Sequence, residues 1–136
     1  MRVTFIAGLP GSGKTHLAQS LASQYDPVDV WYVDDITSTD DLVGPFGSAY
    51  IKHLIVTDPH FCRPTTRPLA EGVIWEWYKL PVHWIFFENN PQQCRRNVMH
   101  RIAQGDDRKV MGMIDALTKI YTIPKGADVR PVYCAE

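Results

Sequence analysis

VTFIAGLPGSGKT, residues 3–15, decides the fold. Val3–Ala7 is apolar without alternation, the pattern of a parallel strand covered on both faces. Gly8–Thr15 matches G-x-x-x-x-G-K-S/T, and the following His16–Tyr25 puts Leu17, Ala18, Leu21, Ala22 and Tyr25 on one helical face. The motif arises by chance in a chain of this size at a rate of about half a percent. Its setting between a strand and a helix argues further against a plain glycine-rich turn. Glycines let such a loop turn its N–H groups inward and the helix N-terminus adds its positive end, so the stretch suits an anionic polyphosphate.

The loop assigns its own parts. Gly8, Gly11, Ser12, Gly13, Lys14, Thr15 and His16 are the candidate nucleotide contacts. Gly11 and Gly13 serve the backbone, Ser12 offers its N–H, and Lys14 is placed to reach the β- and γ-phosphates. The Thr15 hydroxyl is the candidate magnesium ligand, so ATP and Mg2+ are the expected cofactors. The chain carries neither N-K-x-D nor L-S-G-G-Q, which sets aside guanine-nucleotide switches and transporter-type ATPases. A small phosphotransferase remains, and it needs a base, a carboxylate near the metal and arginines for the moving charge.

Outward from the loop, strands alternate with helices. Val28–Val33, His53–Thr57 and Val82–Phe87 read as strands, with a short last one in Val129–Cys134. Residues 36–52 read as loop with a helical turn, and Cys62–Pro68 as a proline-rich loop ahead of a helix over residues 69–79. Asn89-Asn90-Pro91 offers a cap and a first-turn proline for a helix closed by Gly105. Val110–Tyr121 keeps helical spacing up to Pro124. This order predicts an α/β fold: a parallel sheet of about five strands with helices on both faces. Its 136 residues suit a single domain, 1–136.

Net charge is −1, yet residues 1–60 hold three basic and seven acidic side chains and residues 61–136 hold eleven and eight. The three cysteines, Cys62, Cys94 and Cys134, form no C-x-x-C pair, so neither a disulfide framework nor a zinc site is indicated. No apolar run approaches a membrane span and no signal peptide precedes the first strand; a soluble, cytoplasmic protein is expected, with no membrane partner.

In a parallel sheet, residues just past the strand C-termini line the ligand crevice. Asp34 and Asp35 fall there on the second strand and Asp58 on the third, where "LIVTD" has the form of a magnesium-associated carboxylate. Capping of turns is the alternative role for each of these aspartates. Arg63 and Arg67, in the loop after Asp58, are candidates for holding an acceptor phosphate. The segment RRNVMHRIAQGDDRK supplies the cations of a mobile lid around residues 95–109. Arg96 and Arg101 lie five apart, so they diverge by about 140° on a helix and point different ways. Arg108 is a further phosphate contact. Trp75, Trp77 and Tyr78 sit on a helix where aromatics ordinarily enter the core, base stacking being the alternative.

The chain resembles the kinase domain of phage-type polynucleotide kinases, within the P-loop kinases. The resemblance runs from GLPGSGKT through the aspartate pair after the second strand, LIVTD, AEGVIWEWYKL, VHWIFFENNP, RRNVMHR and VMGMIDALTKIY. It implies that Asp34 is the general base on a nucleic-acid hydroxyl, that Arg96 and Arg101 belong to the lid, and that DNA is the partner. The family usually carries an arginine three residues beyond the base; Thr37 stands there, making Asp35 and Thr37 the remaining acceptor-side candidates beside Arg63 and Arg67. A related group of phage enzymes phosphorylates the hydroxymethyl group of 5-hydroxymethyluracil within DNA. The implied acceptor is therefore that group or a 5′-hydroxyl end. A small-molecule, nucleoside or nucleotide kinase of the same fold is the enzymatic alternative, and a non-catalytic nucleotide-binding regulator is the alternative of another class.

Overall fold

Five strands run parallel in the order β2-β3-β1-β4-β5: β1 (Arg2–Ala7), β2 (Val30–Asp34), β3 (His53–Thr57), β4 (His83–Phe87) and β5 (Asp128–Arg130). The structure, a computed structural model, describes residues 1–44, 51–105 and 110–134. Because every strand points the same way, Ala7, Asp34, Thr57 and Phe87 end on one edge of the sheet, with Asp34 in register with Thr57. The expected α/β sheet is the observed one.

Among the described residues five α-helices accompany it: α1 (Lys14–Ala22), α2 (Asp40–Val43), α3 (Thr66–Tyr78), α4 (Pro91–Ala103) and α5 (Met111–Thr118). The period of two divides β1 between two cores. Phe5 and Ala7, with Leu54 and Val56 of β3, pack against Ile74 of α3, Val98 of α4 and Ile114 of α5. Ile6, Ile55 and Ile85 pack against Ala18 of α1 on the other face. Phe5, fully buried, stacks on Phe61 at 5.0 Å and meets Trp84 edge-on at 5.1 Å. Burial of a side chain this size contributes about 2–3 kcal/mol.

Boundaries moved for local reasons. Pro27–Asp29 forms a 3-10 turn, closed by Asp29 N–H on the Asp26 carbonyl at 2.8 Å, so β2 starts at Val30 rather than Val28. Helix α1 starts inside the motif at Lys14 and stops at Ala22, leaving Tyr25 to pack edge-on against His53. Helix α3 begins at Thr66, because proline is tolerated in a first turn where no N–H is needed, and Pro68 stands there. Its core face is Ala70 and Ile74; Trp75 and Trp77, expected in the core, fall off that face and are 57% and 42% exposed. Asn90 caps α4, its side chain accepting from Gln93 N–H at 3.2 Å, with Pro91 in the first turn.

No helix among the described residues is long and apolar enough to cross a membrane. Cys62 and Cys94 are buried free thiols, and burial pushes them up to about 12 and about 11.

At the far end of the sheet, His53 is buried, its Nε2 within 2.7 Å of the Thr4 hydroxyl and its Nδ1 without a partner. Burial, then Arg2 and His83, hold the imidazole below its ordinary value. A histidine depressed in the folded state takes up protons more readily unfolded, so stability is full above the unfolded value near 6.5 and falls as pH drops below it. Thermal melts between pH 7.5 and 5 are expected to show a decline that His53→Gln flattens; equal slopes in the two proteins would refute this.

Candidate phosphate-binding cleft

Residues Gly8–Thr15 leave the end of β1 and wrap into the first turn of α1. Gly11 has φ +83° and Gly13 φ +107°, conformations that side chains rarely adopt. Space forbids a side chain too: a Cβ on Gly11 would stand 2.6 Å from the Cys94 carbonyl oxygen, and one on Gly13 2.7 Å from the Tyr133 Cβ. Gly8 lies against the Ser12 hydroxyl, which is wholly buried, and the Ser12 N–H goes to the Leu9 carbonyl at 3.1 Å. Ser12 therefore shapes the loop from within. Gly13 caps α1 with no side-chain hydrogen bond, which leaves the first-turn N–H groups for a ligand.

Lys14 folds back over the loop, its ammonium donating to the Gly8 and Leu9 carbonyls at 2.9 and 3.0 Å. Burial lowers its pKa, partly opposed by the nearby Asp35 and Asp34 carboxylates. The side chain is a desolvated cation resting on neutral acceptors, a state that an incoming polyphosphate would improve.

The cleft beside the loop measures about 310 Å³. Lys14, Thr15 and His16 line it from the loop, Asp34 and Asp35 from the end of β2, and Arg101 from α4. Asn97 and Tyr133 complete the loop side, and Pro59, Val110 and Met113 give it an apolar wall.

Asp34 is exposed to the cleft, and its Oδ1 accepts the Thr57 hydroxyl at 2.9 Å. Asp35 turns the chain in the left-handed region, φ 64°, with its N–H on the Thr57 carbonyl at 2.8 Å. Burial, then Asp34 and Asp58, raise the Asp35 carboxyl. Asp58 is 3% exposed and is taken up by the chain: it accepts Ile36 N–H at 2.9 Å, His60 N–H at 2.8 Å and meets His60 Nδ1 at 2.8 Å. Thr37 binds Asp41 through N–H and hydroxyl at 2.7 and 2.9 Å and does not line the cleft.

Arg101 and Asn97 are four apart and share the face of α4 turned to the loop. Arg96 is exposed on another face, and Arg95 pairs with Asp115. Asn97, 4% exposed, donates to the Gly11 carbonyl at 2.8 Å and to the Tyr133 carbonyl, while Tyr133 N–H bonds the Ser12 carbonyl at 2.9 Å. Residues 95–103 of the expected lid are thus helix laced to the loop; Arg108, Lys109 and the rest of 106–109 lie outside the described residues.

Arg63 is exposed on the loop after β3 and does not line the cleft. Arg67 sits in the core: its guanidinium donates to the carbonyls of Phe61 and Thr122, both at 2.7 Å, and lies 4.8 Å over the Phe86 ring. The arginine side chain matches this site because its fork reaches carbonyls on two segments and its plane packs on rings. Arg67→Met is expected to cost about 3 kcal/mol of stability, since the buried Phe61 carbonyl and the carbonyl of Thr122 both lose a charged donor. Urea unfolding checks it; an unchanged midpoint would return Arg67 to the surface.

Asn97, Thr57 and Tyr133 were missed by sequence reasoning. Asn97 carried a signal, standing one helical turn before Arg101; Tyr133 carried none, since its contacts with residues 12, 13 and 16 span the chain.

No protein-family profile matches the chain. Among curated proteins it is similar to the uncharacterized protein R277 of Acanthamoeba polyphaga mimivirus, 28% identical over 131 residues that cover 90% of this chain and 87% of that one. Among solved structures, the crystal structure of APE1195 superposes with a TM-score of 0.62 at 17% identity, over 97% of this chain and 84% of the other. That likeness is one of fold. A de novo designed protein of P-loop NTPase fold aligns at a TM-score of 0.40 and 11% identity, over 88% and 87% of the two chains.

The donor set suits the two groups that such a loop implies. Thr15, Asp34 and Asp35 offer the hard oxygen ligands magnesium prefers, and the loop, Lys14 and Arg101 offer the donors for a polyphosphate.

Proposed function

We propose that the cleft binds magnesium-ATP and passes its γ-phosphoryl group to an alcohol whose hydroxyl approaches Asp34. The observation that carries this is the gathering of Lys14, Thr15, Arg101 and a cleft-facing carboxylate, Asp34, into one space of about 310 Å³. Magnesium-ATP, when bound, supplies the phosphoryl group and the metal's charge. Lys14 and Arg101 would offset the charge of the moving group, Thr15 with Asp35 would hold the metal, and Asp34 would take the acceptor's proton. Tyr133, half exposed with its ring 5.0 Å from that of His16, offers a face to the nucleotide base.

For the acceptor, the resemblance supports a hydroxyl on DNA, either a hydroxymethylated pyrimidine or a 5′ end. A base inside a duplex must first leave the stack, at a cost of a few kcal/mol, so single-stranded DNA is the better substrate under that reading. Arg63 is the exposed cation after β3 that a DNA phosphate would meet, and its replacement would lessen the salt dependence of binding. The withdrawal of Arg67 into the core favours a second reading, a small neutral alcohol as acceptor.

One experiment separates these readings. The protein is incubated with γ-labelled ATP, magnesium and a panel of 5′-hydroxyl oligonucleotides, hydroxymethyluracil DNA, nucleosides and small alcohols. Label on polymeric DNA supports the first reading, and label only on a small alcohol replaces it with the second. ATP binding with no label on any acceptor overturns both and leaves a regulatory nucleotide-binding protein.

A further inference from the structure

Strand β3 ends in a residue whose chemistry its packing does not require. Leu54, Ile55 and Val56 are aliphatic and fully buried, and a fourth aliphatic would fill the place of Thr57, itself 0% exposed. Its hydroxyl instead donates to Asp34 Oδ1 at 2.9 Å across the β2–β3 register. Tyr32 OH lies 3.4 Å from the Thr57 hydroxyl, longer than an ordinary O–H···O bond, so the Thr57 proton goes to Asp34.

We propose that Thr57 is the positioning residue that sets the Asp34 carboxylate for phosphoryl transfer. The inference rests on the assignment of Asp34 as base. Thr57 does not line the cleft, so it acts only through Asp34. The side chain of an aspartate at the open end of a strand swings between staggered χ1 wells, and its carboxylate turns broadly about χ2. A donor that fixes Oδ1 leaves one orientation, with Oδ2 available to an incoming hydroxyl. The backbone reinforces the hold at successive positions: Asp35 N–H goes to the Thr57 carbonyl, and Ile36 N–H to the Asp58 carboxylate. Residues 34–36 are thereby clamped to the end of β3 by one side-chain and two main-chain donors. The clamp fixes where the carboxylate stands, while the Thr57 hydroxyl fixes which way it faces.

The test compares Thr57→Val, which keeps the shape and removes the donor, with Thr57→Ser, which restores it. Two readouts are taken: kcat and the KM for ATP in phosphoryl transfer to whichever acceptor the panel labels, and the 13C-carboxyl resonance of Asp34, assigned with Asp34→Asn. Thr57→Val is expected to lower kcat about 10- to 100-fold with the KM for ATP unchanged, the loss typical of a slightly misplaced reacting group. The Asp34 resonance shifts in the Val variant, and Thr57→Ser recovers both readouts. A Val variant of wild-type rate would overturn the proposal, as would a Ser variant no better than Val. If the wild-type protein labels no acceptor, the kinase reading fails instead, and the resonance alone decides whether Thr57 holds Asp34: an unmoved resonance in Thr57→Val then rejects the hold as well.

Discussion

Lys14→Met is expected to leave the fold intact and to lower phosphoryl transfer by about 10²- to 10³-fold or more, the range seen when one oriented donor is removed from developing charge. The structure explains why the fold should survive. The ammonium is a desolvated cation whose partners are two main-chain carbonyls, and its pKa is lowered by that burial. Methionine, an apolar chain of similar length, removes a desolvated charge; the Leu9 carbonyl keeps the Ser12 N–H at 3.1 Å and only the Gly8 carbonyl loses its donor, a net cost of about 1 kcal/mol. The melting temperature without ligand should therefore stay within a few degrees of wild type. What should vanish is the gain on adding magnesium-ATP, about 2.7 kcal/mol at a hundredfold excess over Kd. Melts with and without nucleotide, paired with the labelling assay, check both halves. A Lys14→Met protein that keeps its nucleotide-induced shift and its transfer rate would remove the loop from the mechanism.

The contrast between Lys14 and Arg67 shows what a sequence makes legible. Lys14 was readable because its chemistry is local: the loop, the strand before it and the helix after it lie within Arg2–Ala22, and Gly11 and Gly13 take the backbone conformations the motif requires. Strands β1 to β4 were readable for the same reason, each being a short apolar run with its own stop signal; β5, Asp128–Arg130, has a charged residue at either end and begins ahead of the Val129–Cys134 run expected. Arg67 was not. Residue type argues for a solvated cation, and only the fold brings the Phe61 and Thr122 carbonyls together around it. The start of α3 at Thr66 hid the change, since it moved Arg67 from a loop onto the buried side of a helix. On the acceptor side, the position of Asp34 at a strand end was legible and its tie to Thr57 was not, because that contact depends on the register of two strands 23 residues apart. Strand ends predict where a carboxylate stands, while the neighbouring strand decides which way it faces.

Under the proposed reaction Asp34, Asp35 and Asp58 take three roles, and asparagine at each should give three different results. Asp34→Asn keeps size and the bond from Thr57 but loses basicity. Its kcat should fall about 10²- to 10⁴-fold while the nucleotide-induced rise in melting temperature remains, the signature of a group acting on the proton rather than on ATP. Asp35 sits at φ 64°, a conformation asparagine also tolerates, and its charge is disfavoured by burial and by Asp34 and Asp58. Asp35→Asn should leave the fold intact and slightly steadier in the absence of ligand, with its main cost in magnesium dependence. Asp58 uses both oxygens to hold Ile36 and His60. The amide can accept at only one of those places, so Asp58→Asn should cost about 1–3 kcal/mol in stability and loosen the clamp behind Asp34. Kinetics at saturating magnesium, a magnesium titration and urea unfolding applied to the three variants resolve the assignments. Small, equal effects on rate at all three positions would end the case for Asp34 as base, and an unaltered unfolding midpoint in Asp58→Asn would mean that its carboxylate is not the tie between the two loops.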